Sequence, residues 1–138
     1  MMFNFCQSFK LLWFWGVISM ILIPLNSLAQ IPKNQEIKGT TGGNNNSGDC
    51  GYIANQPNHI INLSQQVYSL NIVVEASQGK PSLLVLGPSQ GDRFCILGDS
   101  KPNKYPKMGG VWAAGKYLIY VGDAQGNQYP FTLKITSQ

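Results

Sequence analysis

Residues 68–75 read YSLNIVVE, and their apolar and polar side chains alternate with a period of two. Successive side chains of a β-strand point to opposite faces of its sheet, so this alternation predicts a strand with one buried face. Residues 116–121, KYLIYV, and residues 131–136, FTLKIT, repeat the pattern further along the chain. These three stretches indicate a domain built from strands.

Shorter apolar runs lie around these strands. Residues 83–86, LLVL, and residues 94–97, FCIL, each end at a glycine, and residues 60–63, IINL, predict an edge strand. After residue 29, no stretch of ten or more residues has helical spacing. Many short strands separated by glycine and proline turns are typical of all-β domains, so we expect a small antiparallel β-sandwich of the jelly-roll kind.

The N-terminus has the layout of an export signal. Lys10 precedes an apolar run over residues 11–25, and Ser27 and Ala29 supply small side chains before a cleavage point. The run of about 15 residues is shorter than the roughly 20 that a membrane-spanning helix needs. We therefore predict a helical signal peptide over residues 1–29, cleaved to leave a secreted or periplasmic protein without membrane contact. The alternative is an uncleaved membrane anchor.

The charge balance argues against nucleic acid as a partner. The whole chain has a net charge of +4, and Lys10 would leave with the signal peptide. Nucleic-acid binders usually concentrate a larger basic excess on one face. The excess here is mild, and export also separates the protein from nucleic acid.

The mature chain divides into a polar leader and a domain. Residues 30–48 are rich in Gly, Asn, Thr and Ser and contain only two isoleucines. Such a segment buries too little apolar surface to offset the entropy of ordering it, which predicts a flexible leader. Residues 49–138 are then the β-sandwich domain.

Two cysteines, Cys50 and Cys95, remain after cleavage. In an exported small domain an even pair indicates a disulfide. The alternatives are two free thiols or half of a metal site, but the single His59 and the absence of a CxxC motif leave zinc without an obvious ligand set. We predict a Cys50–Cys95 disulfide, no metal site and no cofactor.

The order of features between residues 58 and 136 resembles the bacterial pre-peptidase C-terminal domain family. In that family an Ala-Gly-x-Tyr turn leads into a core strand, and Ala114-Gly115-Lys116-Tyr117 fits this turn. The segments that carry the resemblance are residues 60–63, 68–72, 83–86, 113–123 and 129–135. The resemblance implies a small β-sandwich that serves as a non-catalytic accessory or binding module.

The chain departs from the family at one place. Family members often carry aspartates before the Leu-x-Leu strand, where this sequence has Gly79-Lys80-Pro81-Ser82. These residues do not supply the carboxylates of a calcium site. A site built from Asp92, Asp99 or Asp123 with backbone carbonyls is left open.

The sequence offers weak material for catalysis. His59 with Ser64 or Ser69 and Asp92 would satisfy a hydrolase triad by count, but no nucleophile-elbow motif accompanies them. Most carboxylates lie in glycine-rich turns, where aspartate is favoured for bonding to its own backbone. We predict no catalytic residues and no enzyme, with a minor hydrolase as the weakest alternative.

The most unusual segment is KPNKYPKMGGVW, residues 101–112. Its lysines are interleaved with Tyr105, and its prolines stiffen it, so Lys104, Tyr105 and Lys107 are the candidate ligand-binding residues. The alternative is a solvated loop with Trp112 in the core. We expect a binding or accessory module that contacts polysaccharide or another exported protein. The alternative function is a secreted inhibitor or structural partner.

One predicted strand is apolar on both faces. Leu118 and Tyr120 lie on the face opposite the residues expected in the core, and in a sandwich strand that face is normally exposed to solvent. Either a segment such as residues 50–57 covers this second face, pinned by the disulfide, or the face is an exposed contact patch. We favour the covering segment.

Overall fold

The structure, a computed structural model, describes residues 33–138, so the predicted signal peptide over residues 1–29 lies outside the described residues. Among these residues, one 3-10 turn occurs, at Pro102–Lys104. The strands are β1 (Gln35–Thr40), β2 (Asn45–Asn46), β3 (Tyr52–Ile53), β4 (His59–Leu63), β5 (Val67–Ala76), β6 (Pro81–Leu86), β7 (Arg93–Leu97), β8 (Lys107–Trp112), β9 (Gly115–Asp123) and β10 (Pro130–Ser137). Within residues 33–138 no helix is long and apolar enough to cross a membrane.

The strands form two sheets. The four-stranded sheet has the order β1-β10-β5-β8, and the six-stranded sheet has the order β2-β3-β9-β6-β7 with β4 also paired to β9. Every strand pair in both sheets is antiparallel. The predicted all-β antiparallel sandwich is confirmed.

The core lies between the two sheets and is filled by alternate residues of the long strands. Leu70, Ile72 and Val74 of β5 are fully buried, as the YSLNIVVE alternation predicts. Trp112 is also buried, and its ring meets the edge of Tyr117 with centroids 4.8 Å apart. The remaining core residues are Ile61, Leu63, Val67, Ala76, Leu83, Val85, Ile119, Val121, Phe131, Leu133 and Ile135.

The structure corrects the expectation that residues 30–48 form a flexible leader. Gln35–Thr40 is a full strand whose register on β10 runs from Gln35 opposite Ile135 to Thr40 opposite Pro130. Backbone hydrogen bonds to this sheet edge, and Ile37 packing on the core, supply the stabilisation that the polar composition lacks. Within the described residues, the sandwich therefore begins at β1 rather than at residue 49.

Thr41 fixes the end of this added strand. The residue is fully buried, and its hydroxyl donates to the Asn127 carbonyl at 3.0 Å and accepts from the Tyr129 N–H at 3.0 Å. The Thr41 N–H also donates to the Tyr129 carbonyl at 2.8 Å. A hydroxyl that donates and accepts at once satisfies groups in the turn between β9 and β10.

The predicted disulfide joins Cys50 to Cys95, whose Cα atoms are 5.6 Å apart, and it ties a covering segment to the outer face of the six-stranded sheet. The Ser82 hydroxyl donates to the Cys50 carbonyl at 2.7 Å, and both residues are fully buried. Gly122 permits this approach, because a Cβ there would lie 2.8 Å from the Tyr52 carbonyl oxygen.

The cover extends over only part of that face. Leu84, which is opposite both Cys95 and Tyr120, is 1% exposed. Leu118 and Tyr120 are half-buried, and Ile60, opposite Leu118 on β4, is 41% exposed. The preference for a covering segment therefore holds around the disulfide and gives way to an open surface towards β4.

Candidate functional site

The segment that carries Lys104, Tyr105 and Lys107 is anchored rather than loose. The Pro106 carbonyl accepts from the Val74 N–H at 3.0 Å, and Pro106 itself is buried. The Lys104 carbonyl accepts from the Asp99 N–H at 2.8 Å. Tyr105 lies half-buried between two exposed lysines, so the three candidate side chains project from a fixed backbone.

The strand register places Lys107 at the outer face of the four-stranded sheet, which we call the open face, whereas Lys104 lies in the 3-10 turn before β8, outside this register. Lys107 of β8 is opposite Val73 of β5, and Val73 is opposite Lys134 of β10. Neighbouring strands are about 4.8 Å apart, so Lys107 and Lys134 emerge about 10 Å from each other with Val73 between them. Since Ile72 and Val74 point into the core, this row points to solvent.

A second row of the open face carries Tyr105. Lys38 of β1, Thr132 of β10 and Glu75 of β5 are opposite one another across three strands. Together with Tyr105 they line a shallow cavity of about 410 Å³. The structure thus brings Tyr105 beside Lys38, about 70 positions earlier in the chain.

Sequence reasoning missed Lys38 because it lay in the segment interpreted as a leader. The only local signal was the alternation of Glu36, Ile37 and Lys38, with one apolar residue to carry it. Glu36 is opposite Lys134, so it belongs to the open face as well.

The charges of the open face are unevenly neutralised. Lys134 Nζ lies 2.9 Å from Glu75 Oε1, and this hydrogen bond raises the pKa of Lys134. Lys38, Lys104 and Lys107 make no ion pair with any residue in the range 33–138. Three cations beside a tyrosine therefore remain available to an anionic ligand.

The outer face of the six-stranded sheet has its own cavity, of about 490 Å³, at the turn between β6 and β7. Arg93 at its rim is already engaged, since it pairs with the Asp49 carboxylate and donates to the Ser47 carbonyl at 3.0 Å. The hydrogen bond from Arg93 lowers the pKa of Asp49. Lys116 is then the one cation of this cavity lining without an ion pair to a described residue.

His59 does not lie in a triad. It is a half-buried residue of β4, opposite Ile119, and burial lowers its pKa. In the described part of the chain its side chain has no hydrogen bond to a serine or a carboxylate. Among residues 33–138 no group of three or more His, Cys, Asp and Glu side chains is placed to hold a metal ion.

The turn aspartates bond to backbone. Asp123, fully buried, accepts from the N–H groups of Lys80, Gln125 and Asn127 at 2.8 to 3.1 Å. Asp92 accepts from the Ser89 N–H at 3.0 Å within its own turn. These carboxylates organise loops, which is the role that their glycine-rich surroundings favoured.

The chain has a close relative of known sequence. It is 38% identical over 136 residues to the uncharacterized protein Synpcc7942_2126 of Synechococcus elongatus, and the match covers 91% of this chain and 97% of that protein. The chain belongs to the family of this protein. No family model matches the sequence.

The fold has a neighbour among solved structures. The pre-peptidase C-terminal domain of collagenase from Bacillus anthracis superposes with a TM-score of 0.51 at 18% sequence identity. The match covers 77% of this chain and 91% of that domain. This confirms the pre-peptidase C-terminal type of fold that the sequence resembles, and at this identity it shows the fold alone.

Proposed function

We propose that this protein is an exported, non-catalytic binding module that holds an acidic polysaccharide on its open face. The observation that carries the proposal is Tyr105, whose side chain lines a cavity together with Lys38 while Lys104 and Lys107 flank it in the chain. None of these three lysines is neutralised by an ion pair within residues 33–138.

The chemistry of the site suits a chain of anionic sugars. Carboxylate or sulfate groups would meet the lysine ammonium groups, while the Tyr105 ring would stack on the apolar face of a sugar. The 3-10 turn and the Pro106 anchor hold the segment before a ligand arrives, so less conformational entropy is lost on binding. The lysines are exposed, so the attraction should weaken as salt screens it over about 10 Å at 0.1 M.

A non-catalytic role is supported by the type of fold and by the use of the carboxylates. The fold neighbour is a domain appended to an enzyme. Asp92 and Asp123 are both committed to backbone N–H groups in turns. Export rests on the signal-peptide pattern of residues 1–29.

The test compares wild type with a Lys104→Ala, Tyr105→Ala, Lys107→Ala variant on a panel of acidic and neutral polysaccharides. We expect wild type to bind an acidic polymer in low salt and the variant to bind it at least tenfold more weakly, a loss of about 1.4 kcal/mol. A Lys80→Ala, Lys116→Ala variant removes two exposed cations from outside the open face and should bind like wild type.

Two results would overturn the proposal. One is equal binding by wild type and the folded triple variant. The other is wild type that binds no polysaccharide on the panel, which would favour the alternative of an inhibitor or structural partner of another protein.

A further inference from the structure

A second exposed aromatic residue lies at the far end of the open face. Tyr68, at the start of β5, is 76% exposed, and Val111 of β8 is 63% exposed. The β5–β8 register places Val67 opposite Trp112 and Leu70 opposite Gly110, with an irregularity between them. Two residues of β5 therefore face Val111 alone, which is the arrangement of a β-bulge.

The bulge explains why Tyr68 points to solvent. Val67 and Leu70 are both buried although they are three positions apart, so one extra residue separates two core positions. A bulge re-aims a side chain at the point where it occurs. Tyr68 and Val111 thus make a small apolar platform on the same side of the sheet as Lys107.

A continuous track joins this platform to Tyr105. Going along β8 from Val111, the outward positions are Gly109 and Lys107, with Asn71 and Val73 as their partners on β5. Val111 and Tyr105 are six residues apart, which is about 20 Å at the rise of a strand.

The middle of the track, at Gly109 and Asn71, carries no bulky side chain. A Cβ on Gly109 would overlap the Asn71 amide, so that amide lies over the glycine. Beyond it stands Lys107, which has no ion pair among the described residues. An aromatic contact at each end with a free cation between them suits one extended anionic chain better than a single sugar or a chain end.

We infer that Tyr68 with Val111 forms a second subsite, so that the ligand is an extended acidic polysaccharide lying along β5 and β8. The inference rests on the proposed function and adds to it the direction and minimum length of the ligand. The charge of the track selects an anionic polymer over a neutral one.

The experiment measures affinity for a length series of oligogalacturonates, from the disaccharide to a chain longer than about 20 Å. With wild type we expect affinity to rise with length until the chain spans both tyrosines and then to level off. Tyr68→Ala should weaken the long oligomers about fivefold, as expected for a lost aromatic contact, and leave the shortest ones unchanged. Tyr68→Phe should restore wild-type binding because it keeps the ring.

A matched control is Leu97→Ala, which removes a comparably exposed apolar side chain from β7, in the other sheet. The inference is overturned if Tyr68→Ala binds the long oligomers like wild type while the Lys104, Tyr105, Lys107 variant loses them; the proposed function then stands. Wild type that binds no oligomer of any length overturns the inference for this ligand, and loss of binding to the whole polysaccharide panel overturns the proposed function itself.

Discussion

The two outer faces of the sandwich contrast sharply. Around β6, the outer face of the six-stranded sheet is covered by the segment at Cys50, and Ser82 and Leu84 are buried beneath it. The outer face of the four-stranded sheet carries lysines, glutamates and tyrosines without any covering segment among the described residues. One face is cross-linked and the other is open.

The difference follows from the strands themselves. In β6, Pro81 to Val85 are buried without alternation, as expected for a strand that is covered on both sides. In β5, buried residues alternate with half-buried Asn71, Val73 and Glu75. The side chains on the outward-facing side of a strand therefore indicate from the sequence whether another segment must cover that side. In this domain they distinguish the covered face, which stabilises the fold, from the open face, which is available to a ligand.

The largest expected effect comes from removing the disulfide that holds the covering segment in place. Cys95→Ala opens a loop of 45 residues and should lower the free energy of unfolding by about 4 kcal/mol, because the unfolded chain regains that entropy. Urea unfolding of wild type and variant measures the change. The Lys104, Tyr105, Lys107 variant removes two exposed lysines and a half-buried tyrosine and should lose much less, about 1 kcal/mol. Equal losses in both would contradict the division of roles between the faces.

A smaller effect tests the attachment of β1. Thr41→Val keeps the shape of the side chain but removes the donor to the Asn127 carbonyl and the acceptor for the Tyr129 N–H. The free energy of unfolding should therefore fall by about 2 kcal/mol. Thr40→Val is the matched control, since Thr40 is exposed and should change stability by less than about 0.5 kcal/mol. Similar stability for both variants would mean that the segment before Cys50 contributes little to the fold.

Strand β1 also shows which part of the fold could not be predicted from the sequence. The long strands β5, β9 and β10 were predicted because alternation is a local signal, and the disulfide followed from the two cysteines that remain after residue 29. β1 was missed because its stability comes from pairing with β10, about 95 positions away, and a polar stretch with Ile37 as its one large apolar residue gives no local sign of that partner. For the same reason, only part of the candidate site was predicted from the sequence. Tyr105 and its lysines are adjacent in sequence, whereas Lys38 joins them only through the register of β1.

The next effect concerns pH and the covered sheet. His59 is the only histidine, and burial lowers its pKa from the ordinary value of 6.5. The unfolded chain therefore takes up a proton at a higher pH than the folded one, so stability is full above about pH 6.5 and falls as the pH drops from there to the folded pKa. Urea unfolding between pH 7.5 and 5 should show this decline in wild type, and His59→Gln should flatten it. Asp49, whose pKa is lowered from 3.8, responds only at lower pH and does not disturb the comparison.

The smallest effect sharpens the description of the open face. Glu75 pairs with Lys134 at 2.9 Å, but both side chains are more than a third exposed, and such surface pairs contribute about 0 to 1 kcal/mol. Glu75→Gln should therefore leave stability almost unchanged. It removes a negative charge from the cavity of Tyr105 and Lys38 and frees Lys134 for a ligand, so binding of an acidic polysaccharide should strengthen two- to threefold, roughly 0.5 kcal/mol. The gain should disappear at high salt, because it is electrostatic and exposed.

Asp92→Asn, at the cavity of the other face, removes the same charge and should leave binding unchanged. Equal gains from both variants would mean that net charge, rather than the arrangement of the open face, governs binding.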